Sequence, residues 1–279
     1  MRPRRWARSC APIGHVRQAD AIASRFLGIL AEHTELLGRD DEGGMVMVDI
    51  DDTIVQVHGY QKQGAGFGYS GVRGVNALLA TVSTEQAAPV IVAQRLRNSR
   101  GATRLATDAL ALIRRTRLAG RAVLVRADAA FYSHALVSAC RKAGAEVSIT
   151  VRMDPAVKRA IAAIPAEAWR TIKYTDAIYD EQSDRWISRA EVAEIPFTGF
   201  TSKKAGQVPG RLVVRRIPDL NPKKNQGQET LFDTWRFHAF FTTTPAAERD
   251  TVAADQIHCA HAIENVHADL KASALAHMP

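Results

Sequence analysis

The chain has 279 residues, 46% of them hydrophobic and 24% charged, with a formal net charge of +8 and a pI near 9.7. That length can bury a large core, and the composition is ordinary for a globular domain or two. No apolar run approaches the roughly 20 residues that cross a bilayer, and the opening Met1-Arg2-Pro3-Arg4-Arg5-Trp6 has no apolar segment behind it to make a signal peptide. Cys10, Cys140 and Cys259 lie far apart without paired spacing, which indicates neither a disulfide framework nor a zinc site. The expected compartment is the cytoplasm.

In chain order, residues 1–44 hold one amphipathic helix, expected from about Val16 to Leu37, with Ala21, Ile22, Phe26, Ile29, Leu30 and Leu36 apolar at helical spacing. Asp40-Asp41-Glu42-Gly43-Gly44 then punctuates the chain. The run Met45-Val46-Met47-Val48 is apolar on both faces, as in a central strand, and ends in Asp49-Ile50-Asp51-Asp52-Thr53. Carboxylates at the end of a buried strand are costly unless a cation or reactant uses them. Side-chain alternation puts Asp49 and Asp51 on one face, roughly 7 Å apart, and Asp52 on the other. Two acids on one face can hold a divalent ion; a strand end running into a solvated turn is the plainer alternative.

A glycine-rich segment, Gly59 to Gly74, reads as a hairpin or flap, since it has neither a Gly-Lys-Ser/Thr ending nor the context of a nucleotide fingerprint. Val75 to Val82 and Pro89 to Leu96 complete an antiparallel meander on the first strand. The period then changes. Thr103 to Leu118 is expected to be a helix, followed by Gly120; Ala122 to Val125 is a second buried strand leading to Arg126-Ala127-Asp128; Ser133 to Ala143 is helical, ending at Gly144; Glu146 to Val151 is another strand. Strand, acid, helix, strand is an α/β crossover, and ligands gather beyond the carboxyl ends of such strands, where Asp128 falls. A helix N-cap is the plainer role for that acid.

From about Pro165 to Thr244 the chain reads as β-rich and carries Trp169, Trp186 and Trp235. It also carries the main basic cluster: Lys203, Lys204, Arg211, Arg215, Arg216, Lys223 and Lys224 face one acid, Asp219, for a net +6 between Thr201 and Gln228. Clustered Lys and Arg gain affinity for polyanions by releasing counterions from phosphates, so the expected partner is nucleic acid. Ala246 to about Ser273 reads as one long helix with Ile257, Ala260, Glu264, His267 and Lys271 along one face.

Two families share parts of this pattern. An apolar strand followed by Asp-x-Asp-x-Thr resembles the opening motif of haloacid-dehalogenase-like phosphatases, which would make Asp49 a nucleophile and Asp51 a general acid; the later acidic pair of that family is missing. The chain from about Met45 onward resembles insertion-sequence DDE transposases, closest to the IS thirteen-eighty family. The resemblance rests on Asp49 to Thr53 with the glycine-rich segment after it, on Arg126-Ala-Asp-x-x-Phe131, and on Ala260-His-Ala-Ile-Glu-Asn-Val-His-Ala-Asp-Leu-Lys271.

That resemblance implies a ribonuclease H-like α/β mixed sheet flanked by helices: residues 1–44 a helical remnant, 45–164 the first part of the core, 165–244 a β-rich basic insertion, and 245–279 the last catalytic helix. It implies Asp51, Asp128 and Glu264 as the catalytic triad and as ligands of two Mg²⁺ ions that Mn²⁺ replaces, with Asp49 a further ligand. It also implies Lys271 on DNA phosphate, with the basic cluster from Lys203 to Lys224 beside it, and Trp235 stacked on an extruded base. The implied partners are double-stranded DNA, at element ends and target, and a second copy of the chain, in the nucleoid of a bacterial cytoplasm. The family's tyrosine and arginine, seven and four positions before the glutamate, fall here on Ile257 and Ala260. Related transposases carry more chain at both ends, so a truncated form that binds DNA without cutting it is a third expectation.

Overall fold

A computed structural model describes residues 12–38, 44–57, 65–67, 71–96, 101–180, 185–202, 204–218, 235–260 and 263–273. The chain is α/β and divides into two compact units: residues 1–125, 138–145 and 262–279, and residues 126–137 and 146–261.

The first unit is built on β1 (Val46–Gln56), which pairs antiparallel along its length with β3 (Arg73–Ser83). The far edge of β3 carries both β2 (Gly66–Phe67) and β4 (Val90–Leu96), so the expected meander is present. On the other side of β1 comes β5 (Val123–Ala127), approached by a hydrogen bond from the Val46 amide to the Ala122 carbonyl at 2.8 Å. Helix α1 (Pro12–His33) packs against β4, and α2 (Ala102–Ile113) against β1, β3 and β4. The buried stripe of α2, Leu105, Ala106, Ala109, Leu112 and Ile113, follows the helical period that its sequence shows. Arg95 ties the layer together by bridging Asp20 on α1 at 2.8 Å and Asp108 on α2.

The short helix α3 (His134–Lys142) ends at Gly144, whose φ of +71° is the left-handed conformation that glycine adopts without strain.

In the second unit the strand order is the end of β5, then β6 (Glu146–Thr150), β10 (Trp235–Thr242), β9 (Val208–Pro218), β8 (Arg185–Gly199) and β7 (Arg170–Asp180). All pairings from β6 to β7 are antiparallel. The β-rich basic segment is therefore continuous with β6, since Phe240 of β10 lies opposite Thr150. Gly210 makes the β9–β10 approach possible, because a Cβ there would lie 2.5 Å from the Thr242 carbonyl oxygen and 2.7 Å from the Phe241 ring. Helix α4 (Pro155–Ala162) packs on β8 and α5 (Thr251–Cys259) on β8 and β9. Each has an aspartate N-cap: Asp154 accepts from the amides of Ala156 and Val157, and Asp250 from that of Ala253.

The single C-terminal helix expected from Ala246 to Ser273 is two helices. α5 stops at Cys259, and α6 runs from Ile263 to Ala272. The stripe from Ile257 to Lys271 is consequently not one face of one helix. A distant residue completes the end of α5: Arg126, fully buried, donates Nη1 hydrogen bonds to the Ile257 carbonyl at 2.6 Å and the Ala260 carbonyl at 3.0 Å. It satisfies two of the acceptors that a helix C-terminus leaves open. Among the described residues no helix is long and apolar enough to cross a membrane.

Candidate active site

β1 changes environment at its acids. Val46, Val48, Asp49 and Ile50 are fully or nearly fully buried, whereas every residue from Asp51 to Val55 is half-buried. Thus the strand leaves the core at Asp51. Register confirms the face assignment: Asp51 lies opposite Leu79 and Asp52 opposite Leu78. Asp52 is engaged on its own face, where its carboxylate accepts from the Asn76 side-chain amide. Asp51 uses Oδ1 to accept from the Asp52 amide at 2.8 Å, and its Oδ2 lies 3.4 Å from Nε2 of His267.

Helix α6 packs on β1 through Ile263 and His267, both buried; Glu264, in its first turn, is exposed, as is Lys271 near its end. The side chain that α6 presents to Asp51 is therefore His267. Its imidazole had not been expected at the site, although the Glu-x-x-His spacing from Glu264 to His267 was there to be read.

Asp128 follows the buried residues Leu124 to Ala127 at the carboxyl end of β5 and is exposed on extended backbone, φ −77° and ψ 169°. It precedes a single 3-10 turn, Ala129–Phe131, yet makes no side-chain capping bond, so the N-cap role is not the one it fills. Buried Phe131 anchors this turn, and Tyr132 after it stacks on Phe200 at 4.7 Å and meets Phe241 edge-on at 5.9 Å. Burial, reinforced by the charge of Asp154, pushes the Tyr132 hydroxyl up to about 12. Asp51 and Glu264 belong to the first unit and Asp128 to the second. Among the described residues no three His, Cys, Asp or Glu side chains stand close enough together to hold a metal ion.

Three arginines of the basic cluster, Arg211, Arg215 and Arg216, are paired with acids. Arg211 is buried, pairs with Glu194 at 2.5 Å and donates to the carbonyls of Thr244 and Arg249. Arg215 holds the buried Asp255 through two nitrogens, and Arg216 pairs with Glu191. The Arg216 guanidinium also lies 4.1 Å from the Trp169 ring centre and 4.4 Å from that of Trp235. Trp235 is half-buried with one neighbour already stacked on it. Lys203, Lys223 and Lys224, and the side chain of Lys204, lie outside the described residues.

A family model described as the transposase DDE domain, group 1, matches residues 16–214, well over half of the chain. The chain belongs to the DDE transposase family. Asp51 and Asp128 of this DDE transposase both fall inside the matched segment, while Trp235, Glu264 and Lys271 lie beyond it. Among curated proteins none matches the chain. Among solved structures it is similar to a piggyBac transposase in a synaptic complex with hairpin DNA, at 8% identity and a TM-score of 0.43, over 81% of this chain and 40% of that one. The chain thus spans less than half the length of that transposase. Asp49, the nucleophile of the phosphatase alternative, is 0% exposed.

Proposed function

We propose that this DDE transposase cuts and rejoins DNA strands at the ends of an insertion sequence, through a ribonuclease H-like arrangement in which Asp51, Asp128 and Glu264 are the reacting-site carboxylates. The observation that carries this reading is the family match enclosing Asp51 and Asp128, each at the point where a strand leaves the buried core. Such positions combine rigidity with access, which a phosphodiester too large to enter a core requires.

The donor chemistry fits hard divalent cations. Carboxylate oxygens suit Mg²⁺, which keeps several water and phosphate oxygens in its shell and needs few protein ligands. Asp51, Asp128 and Glu264 are the residues that would hold such ions. When bound, paired ions lower the pKa of the attacking water or 3′ hydroxyl and neutralise the leaving oxygen.

The chain itself contributes placement. The Asp52 amide holds one oxygen of Asp51, and the other lies 3.4 Å from His267 Nε2. Asp128 sits on a turn locked by Phe131 and the Tyr132–Phe200 stack, so its carboxylate is presented without a capping commitment. Arg126 takes two carbonyls at the end of α5, and α6 carries Glu264 and Lys271. Lys271, exposed, supplies a positive charge for a DNA phosphate near the reacting acids. With Arg211, Arg215 and Arg216 engaged by acids, the DNA contacts we propose for the basic segment rest on its lysines.

The test is Mg²⁺-dependent nicking of a linear duplex carrying an element end. Wild-type protein is expected to nick it, and Asp51→Ala or Asp128→Ala to lose that activity while retaining a gel shift. Unchanged nicking in either variant would remove the assignment. Wild-type protein that shifts DNA but never nicks it, under Mg²⁺ or Mn²⁺, would leave only a DNA-binding role.

A further inference from the structure

His267 is a buried histidine whose imidazole approaches a carboxylate without hydrogen-bonding to it. It is 7% exposed, and neither ring nitrogen has a hydrogen-bond partner among the described residues. Buried polar groups are nearly always paired, and a neutral imidazole carries one N–H and one lone pair that both need satisfying. Nε2 lies 3.4 Å from Asp51 Oδ2, within ion-pair distance but not hydrogen-bonded to it.

That spacing has another meaning. Two donors bound to one cation, each about 2.0 to 2.2 Å from it, stand about 3.0 Å apart at a right angle and about 3.4 Å apart at a tetrahedral angle. The imidazole nitrogen and carboxylate oxygen therefore have the separation of two corners of one coordination shell. Both belong to the same compact unit and sit on elements in direct contact, β1 and α6. The other Asp51 oxygen is already held by the Asp52 amide, which aims Oδ2 at the imidazole side.

We propose that Asp51 and His267 form a two-residue site for a divalent cation, with His267 Nε2 as a direct ligand. The inference rests on the reading of Asp51 as a metal-holding carboxylate and adds a nitrogen to what that reading makes an all-oxygen set. No third His, Cys, Asp or Glu stands beside the pair among the described residues, and positions of the shell that the other carboxylates of that reading do not take would go to water and to oxygens of the nucleic acid. An imidazole–carboxylate pair favours borderline cations: Mn²⁺, and more strongly Co²⁺ or Zn²⁺, over Mg²⁺.

The test uses the full chain and Mn²⁺ as the probe. Pulsed EPR of the wild-type protein is expected to show a directly coordinated nitrogen. In His267→Gln that coupling is expected to vanish, with Mn²⁺ affinity falling at least the roughly tenfold that loss of even an outer-shell partner costs. Asp51→Asn is expected to abolish binding at this site. Absence of bound Mn²⁺, Mn²⁺ bound without nitrogen coupling, or a coupling that survives in His267→Gln and so comes from another of the nine histidines would each overturn the proposal. The wild-type spectrum decides even if the variant fails to fold. Nicking by the same preparation separates the two readings: nitrogen-coupled Mn²⁺ without DNA cleavage keeps the site and defeats the transposase activity, whereas cleavage with nitrogen-free Mn²⁺ does the reverse.

Discussion

Arg215 grips Asp255 with two nitrogens, Nε at 3.1 Å and Nη2 at 2.5 Å, and Asp255 is almost completely buried. A guanidinium on β9 thus holds α5 onto the sheet. Removing one partner of such a pair strands the other charge, and buried pairs broken this way cost about 3 to 5 kcal/mol. Asp255→Ala is expected to destabilise the protein by about 3 kcal/mol, the low end because Arg215 keeps some contact with water. Replacing both residues with apolar ones of similar size is expected to cost less than the single change. Urea unfolding of the two variants checks the order; equal losses would show that the pair is incidental to α5 docking.

The Arg216 guanidinium between Trp169 and Trp235 gives a second, optical prediction. A cation over an indole contributes about 0.5 to 2 kcal/mol according to how dry the site is. Arg216→Ala is expected to destabilise by about 1 to 2 kcal/mol, since it also frees Glu191. It should change intrinsic tryptophan fluorescence, because two of the four tryptophans lose the same neighbour. If Trp235 instead stacks an extruded base, 2-aminopurine at the cleaved end should report it in wild type and not in Trp235→Ala. Identical 2-aminopurine signals would assign the ring to the sheet alone.

Local patterns were readable where local forces decide the structure. The run from Ala122 to Thr150, strand, acid, helix, glycine, strand, follows its sequence closely, because burial on both sheet faces and a glycine with positive φ leave few alternatives. The same is true of the strand that loses its buried character at Asp51. What could not be read depends on partners distant in the chain. Nothing between Cys259 and Ile263 is a glycine or proline, yet α5 stops at Cys259, where Arg126, more than a hundred positions away in the chain, takes the Ile257 and Ala260 carbonyls. Counting charges from Thr201 to Gln228 likewise missed Glu191, Glu194 and Asp255, which lie on β8 and α5 and engage three of the seven cations. Exposed Glu264 and buried His267 were interchangeable on paper, three positions apart on an isolated helix; only packing on β1 tells them apart.

The Tyr132 hydroxyl sets an alkaline limit. Its value is raised from the usual 10 to about 12, by burial first and then by the negative charge of Asp154. A neutral phenol is thus favoured in the folded state, and the stability this confers is fully present below pH 10. Between pH 10 and 12 the unfolded chain gives up its proton while the folded one retains it, so stability falls with rising pH across that window. Absorbance titration at 295 nm is expected to show one of the five tyrosines ionising near pH 12, a step that is missing in Tyr132→Phe. A Tyr132 that titrates with the others near pH 10 would mean that the stack on Phe200 is open to water.

Asp128 offers the cleanest separation of activity from folding. Its side chain is exposed, caps nothing, and follows a strand whose buried residues are all upstream of it. Asp128→Asn keeps the volume and removes only the charge, so its unfolding free energy should stay within about 0.5 kcal/mol of wild type. Its gel shift with duplex DNA should be retained or slightly strengthened, since one negative charge has left a protein of net +8. Nicking should fall by roughly a hundredfold or more, beyond what loss of an outer-shell metal partner costs. A variant that is destabilised as well as inactive would mean that the carboxylate holds the turn before Phe131 together. A variant that is stable and fully active would remove Asp128 from the reacting site.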